Sequence, residues 1–204
     1  MDSDDYELIN SEKYFFFIPI SQTPIWIMYV YNLIWGTGKS ESFNEQDNIN
    51  YYFPARIFNP CDDCLDIRIQ LWRLISYSLV HLSFKHIFAN SLCLLIYSYL
   101  NFYQSSKYLT FVYVNSIIIG SLAFLYFNPY GVLIGNSAGV HGLMGSGLGH
   151  QLLNFSSFPS DINIILGLLN IIPLIVVFTY YFLKPDQRVS HVCHFYGYLA
   201  GLAS

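Results

Sequence analysis

Apolar residues along this chain run in long blocks instead of alternating, and several blocks approach the length that crosses a bilayer. They predict six segments: about Tyr14 to Trp35, Leu79 to Tyr103, Tyr108 to Phe127, Ala138 to Asn154, Ile162 to Leu183, and Ser190 to Ser204. Pro19 and Pro24 fall inside the first and predict a kink there. Polar residues collect in an acidic tail at 1–13 and in a long first connection at 36–78. The end of that connection alternates apolar and charged around Ile67, Ile69 and Leu71, then reads Trp72-Arg73. An interfacial helix fits this pattern, with tryptophan and arginine at the headgroup level; an ordinary connecting loop fits it too. The last segment, about 14 residues long, is too short to span alone. The expected fold is therefore an all-α polytopic membrane protein, a six-helix transmembrane bundle with its sixth helix truncated at the chain end. The acidic tail is neither a basic signal region nor an arginine-rich transit peptide, so membrane entry through the first segment is expected.

The fourth segment is short for a span. From Ala138 to Asn154 are 17 residues, about 25 Å of helix against a hydrocarbon core of about 30 Å. If its far end reaches the opposite interface, Ser137 sits below the near surface in a recessed, wet pocket, because irregular backbone at that depth needs protein or water around it. Small residues then recur on helical rows, Ala138, Gly142 and Ser146 on one and Gly145 and Gly149 on another, which lets membrane helices approach backbone to backbone. A tightly packed helix that merely begins with a serine cap reads from the same stretch.

Composition sharpens the class. Charged residues make up 11% and hydrophobic residues 54%, where a soluble domain carries about 25% charged. Nine lysines and arginines are scattered and the net charge is −4, so no basic stripe exists for nucleic acid. Cys93 and Cys193 lie in apolar runs and read as small buried fillers. Cys61 and Cys64 lie in the first connection, either as a local disulfide or as free thiols. A single CxxC is weak evidence for zinc.

Every one of the six histidines, at 81, 86, 141, 150, 191 and 194, is in or beside an apolar run, and ionisable groups in such places are functional by default. His86 and Asn90 are four apart, as are Ser137 and His141, so each pair shares a helix face. Read as one helix, His81 and His86 diverge by about 140°, and with no carboxylate in any segment a metal site is not expected. A nucleophilic serine needs a base within hydrogen-bond reach and donors for the developing oxyanion. Without an intramembrane carboxylate, a serine–histidine dyad fits better than a triad. His150 is expected near the interface, and His81 is expected to hydrogen-bond within the loop beside it. His194 is followed by Gly197 and Gly201, a small face that would let the sixth segment close on the fourth.

Together these residues resemble the rhomboid intramembrane serine proteases. Trp72-Arg73, His81 and His86-Ile-Phe-Ala-Asn90 are similar to the pattern at the end of that family's first loop and in its second helix. Gly135-Asn136-Ser137-Ala138 is similar to its GxSx motif, and His194 with Gly197 and Gly201 to its sixth-helix motif. The match covers about residue 50 to the end. The resemblance implies Ser137 as nucleophile and His194 as general base, with His86, Asn90 and the Ser137 N–H stabilising the oxyanion. His141, His81, Gly135 and Gly197 would support them. His141 stands where the family usually has an aromatic ring stacked on the base, and it adds a titratable group there. Substrates would be single-pass membrane proteins cut within or beside their spanning helix, with no cofactor, no metal and no nucleic acid, in the lipid bilayer of the secretory pathway or plasma membrane. A lateral gate would map to the fifth segment, where Phe178, Tyr180, Tyr181 and Phe182 are bulky. The family's exoplasmic placement of the first loop conflicts with Lys39, Arg56, Arg68 and Arg73 in that loop, which by the positive-inside rule would face the cytoplasm. The alternative function is a catalytically silent rhomboid-like protein that binds spanning helices for trafficking or quality control.

Overall fold

Serines one residue ahead of apolar runs start several of the helices. In a computed structural model, which describes residues 21–31, 33–34, 71–81, 83–101, 103–128, 132–154, 160–183 and 190–204, Ser83, Ser105 and Ser190 each accept a backbone N–H from three residues on. The helices are α1 (residues 21–31), α2 (Arg73–Ser76), α3 (Phe84–Leu100), α4 (Ser106–Phe127), α5 (Ser137–Leu153), α6 (Ser160–Leu183) and α7 (His191–Leu202). Among the described residues α4, at 22 residues, is the one helix that alone is long and apolar enough to cross a membrane. The stretches Arg73–Leu79 and Phe84–Leu100 qualify together across a 104° bend. The described residues are helical apart from turns and an isolated bridge at Leu133.

α5 is the axis of the bundle. From Ala138 to Leu148 every residue but His141 is buried, and α5 packs most extensively on α7, then on α4. Its glycines make this possible. A methyl group added at Gly197 of α7 would sit 2.6 Å from the Ala138 carbonyl oxygen, and one at Gly201 would overlap the Gly142 carbonyl. α1 lies on the outer side of α3, where Trp26 donates from its ring nitrogen to Ser91 Oγ at 3.1 Å and meets Phe84 edge-on.

α6 carries Pro173 in its interior. Proline has no N–H to give to the carbonyl four residues back, here that of Leu169. The Tyr97 hydroxyl of α3 donates to that carbonyl at 2.9 Å, and the Tyr198 hydroxyl of α7 donates to the next, Asn170, at 3.2 Å. Two neighbouring helices thus answer the acceptors at the proline. Tyr97→Phe should lower stability by about 0.6–1.7 kcal/mol, the range for interhelical hydrogen bonds in membranes. In a thermal melt of detergent-solubilised protein this reads as a drop of about 2–4 °C per kcal/mol. Tyr126→Phe, at a side chain 79% exposed, should leave the midpoint unchanged.

Several expectations are corrected. The second segment's helix starts at Phe84, not Leu79: Tyr77–Leu79 is a 3-10 turn, Val80 and Ser83 are extended, and Ser83 caps α3. His81 is therefore off the helix, and its ring meets that of His86 edge-on at 4.9 Å instead of diverging from it. The cap of α5 is Asn136, and Ser137 is already helical. Arg73 is buried while Trp72 is exposed, so the two do not share a surface setting. Ala138, Gly142 and Ser146 all lie buried on α5, and the Ser146 hydroxyl donates to Gln104 Oε1 at 3.1 Å, because a buried hydroxyl needs a partner. Cys193 is buried and Cys93 half-buried, both free. The acidic tail, Pro19, residues 36–70 with Cys61 and Cys64, and the side chains of Phe178, Tyr180, Tyr181 and Phe182 lie outside what is described.

Candidate active site

Gly135 is the one described residue with φ in the left-handed region, at +93°, where a side chain would be strained. Its N–H donates to the Tyr77 carbonyl at 3.0 Å, which pins the loop entering α5 to the turn before α3. The missing side chain also leaves room for two others. A methyl group at Gly135 would sit 2.8 Å from His86 Cε1, 3.0 Å from His86 Nε2 and 3.6 Å from Asn90 Nδ2. His86 and Asn90, one turn apart on α3, so converge on backbone two residues ahead of Ser137.

Ser137 is the first residue of α5, where N–H groups have no partners within the helix and the dipole favours negative charge. Its Oγ lies 2.7 Å from His194 Nε2. The two residues are 57 apart in sequence, and the contact exists because Gly197, one turn beyond His194, brings α7 onto Ala138. Ser137 and His194 are both half-buried. A hydroxyl hydrogen-bonded to an unprotonated imidazole nitrogen is the arrangement that lets the base take the proton as the oxygen attacks.

His141 lies flat against His194, with ring centroids 4.3 Å apart and planes within 6°. Its Nδ1 is 2.8 Å from the Ser137 carbonyl. A carbonyl only accepts, so Nδ1 carries the proton and the ring is held in place by the same turn that carries the serine. His191 meets His194 edge-on at 6.3 Å. Among the described residues no group of histidine, cysteine and carboxylate side chains could hold a metal ion.

All eight residues singled out in the sequence come to one end of α5. Ser137, His194, His141 and Gly197 lie on the α5–α7 seam, and His86, Asn90, His81 and Gly135 on the α3 side. His81 bonds to Asn136 and Asn90, one partner in the loop entering α5 and the other on α3. Sequence reading missed Asn136, whose side-chain NH2 donates to the Tyr113 hydroxyl at 2.9 Å, and His191. The signal for Asn136 was an excellent capping residue directly before the serine; for His191 it was its place one turn before His194. His150, expected near the interface, stacks on Tyr103 at 4.2 Å.

Fold and site thus define an all-helical bundle in which a serine at a helix start is hydrogen-bonded to a histidine of a neighbouring helix. The rhomboid domain family matches residues 68–204, and the chain belongs to that family. It is a membrane protein. It is 31% identical to Rhomboid-related protein 2 of Mus musculus over 152 residues, 71% of this chain and 50% of that protein. With Rhomboid-related protein 1 of Caenorhabditis elegans it shares 26% identity over 149 residues, 67% of this chain and 39% of the relative. The matched region thus spans half the length of the first relative and less of the second.

Proposed function

We propose that this chain is a multi-pass intramembrane serine endopeptidase that cleaves single-pass membrane proteins within or beside their spanning helix. The observation that carries the reading is the 2.7 Å hydrogen bond between Ser137 Oγ and His194 Nε2. In the proposed reaction Oγ attacks the scissile carbonyl as its proton passes to Nε2, and the negative charge moves to the carbonyl oxygen. His86, Asn90 and the Ser137 N–H would receive that charge; such preorganised donors are a major source of rate in acyl transfer. His194 would then return the proton to the departing amine, and water would release the acyl group by the same route. The rest of the fold reads as six spans, placed in the secretory pathway or plasma membrane. A substrate helix hides its carbonyls in hydrogen bonds, so it must unwind locally before attack, and α6 is the proposed side of entry.

Labelling by a serine-directed fluorophosphonate tests the reading. Folded wild-type protein should be labelled at Ser137 and nowhere else. Protein that melts cooperatively yet takes no label would overturn the enzyme and favour the silent helix-binding alternative, the more so if it still captures a substrate helix.

A further inference from the structure

Among the described side chains of α6, Asn170 alone is buried, while Ile164, Leu168, Ile172 and Ile175 are at least half exposed. The amide of Asn170 fills the notch that Gly147 leaves on α5. A methyl group at Gly147 would lie 3.0 Å from both Oδ1 and Nδ2 of Asn170, and 2.7 Å from Oδ1 of the buried Asn101. Among the described residues, the hydrogen bonds that α6 accepts from other helices fall at the same level: Tyr97 donates to the Leu169 carbonyl and Tyr198 to that of Asn170. Pro173 follows three residues later. We propose that α6 is a jointed gate: clamped to α3, α5 and α7 at Leu169 and Asn170, it bends in the turn up to Pro173, and only the arm from Pro173 to Leu183 swings outward to admit substrate. The proposal rests on the peptidase reading, in which α6 is the side of entry, and assigns the part that moves.

Polar and apolar contacts part at very different cost in a bilayer. Lipid tails are as apolar as leucine, so an apolar side chain leaves a helix seam for lipid almost freely. Parting at Leu169 and Asn170 would instead strand two tyrosine hydroxyls and two carbonyls where no water reaches them. That level stays closed, whereas Leu174, half-buried on the core beyond the proline, is free to lift away. Proline has no N–H for the Leu169 carbonyl and its ring crowds that oxygen, so the helix is one hydrogen bond short between clamp and arm. Tyr97 and Tyr198 already answer the two carbonyls there, and bending exposes no new acceptor. Gly147 meets Asn170 and Gln151 meets Gly167, so α6 runs antiparallel to α5 and the arm lies towards Ser137. Six residues join Leu153 to Ser160 and tie the other half, the foot, to the end of α5. The arm is about 15 Å long, and flexing by about 20°, where sharp proline kinks begin, moves its tip by about 5 Å. Such a gap passes an extended segment, about 5 Å wide along its hydrogen-bonding direction, but not a helix of about 10 Å. The joint therefore admits the unwound part of a spanning helix and leaves the rest in lipid.

Two measurements test the joint. In the first, spin labels are carried on an encoded ketone amino acid, which spares the native cysteines, in full-length Ser137→Ala protein in lipid nanodiscs. Distances are read from position 126 to Thr179 on the arm and to Ile164 on the foot; Tyr126, Thr179 and Ile164 are all exposed. The arm distance should spread more widely than the foot distance by about 3 Å, the swing expected about 9 Å beyond the joint. Pro173→Ala, which restores the missing N–H, should narrow the arm distance to the width of the foot. Equal spreads in the parent protein, or an arm indifferent to Pro173→Ala, overturn the proposal without reference to activity. In the second, Pro173→Ala in the otherwise wild-type chain should lose about tenfold in kcat/KM on a single-pass substrate, as for a gate open a tenth as often. Fluorophosphonate should label its Ser137 at the wild-type rate, because a small probe reaches a half-buried serine without the gate. Unchanged kcat/KM, or a loss of labelling that matches the loss of cleavage, would overturn the gate. A folded wild type that neither cleaves nor labels would instead sink the peptidase reading, and the spin-label distances would still decide the joint.

Discussion

Ser137→Ala and His194→Ala should each abolish cleavage of a single-pass membrane substrate, with kcat down by at least about 10³-fold, or about 4 kcal/mol of transition-state stabilisation. The double variant should be no worse than either single one, because a nucleophile and its base act as one unit. Ser137→Ala should also remove fluorophosphonate labelling. Neither substitution should cost much stability: alanine suits the first turn of a helix, and both positions are half-buried at the mouth of the site. The test is therefore cleavage and thermal melting on the same preparations. Cleavage surviving in Ser137→Ala at more than about a hundredth of the wild-type rate would rule out this serine as the nucleophile. A loss of cleavage in His194→Ala accompanied by a collapse of the melting transition would reassign the 2.7 Å contact to holding α5 and α7 together.

The parts of this site that were legible in the sequence were the polar groups standing in apolar surroundings. Ser137, His194, His86 and Asn90 could be picked out because each is costly where it lies, and the bilayer makes that cost visible in composition alone. What failed were the places where one local rule hid another. Leu79 and Val80 continue the apolar run of α3, so the break before Ser83 was invisible to periodicity, and His81 was read onto a helix it does not join. Asn136 and Ser137 are both good caps, and the apolar run beginning at Ala138 assigned the role to the wrong one. For Asn136 the deciding partners, Tyr113 and His81, lie far along the chain and no local window contains them; for α3 the signal was local, the Ser83 cap three residues before His86.

Gly201→Ala should break the bundle and the site together. A methyl group there would overlap the backbone carbonyl of Gly142, and a backbone carbonyl in the most buried helix cannot rotate away as a side chain could. α7 must instead lift off α5. Overpacking that flexible side chains absorb costs about 1–3 kcal/mol, so with backbone on both sides a loss of about 3 kcal/mol or more is expected. At about 2–4 °C per kcal/mol the melting point falls by roughly 6–12 °C. Gly167→Ala is the control for the chemical change itself: the nearest atoms to its methyl group would be those of the Gln151 side chain, at 3.4 Å, an ordinary van der Waals contact, and replacing a helix-interior glycine is worth up to about 1 kcal/mol. It should melt at or above the wild-type temperature. Labelling of Ser137 should fall further than stability in Gly201→Ala, because His194 rides on the same face of α7 two turns away and a lift of about an ångström is enough to break a serine–imidazole hydrogen bond. A Gly201→Ala protein that melts and labels like wild type would mean that α5 and α7 do not meet backbone to backbone. The seam that brings Ser137 to His194 would then have to be built some other way.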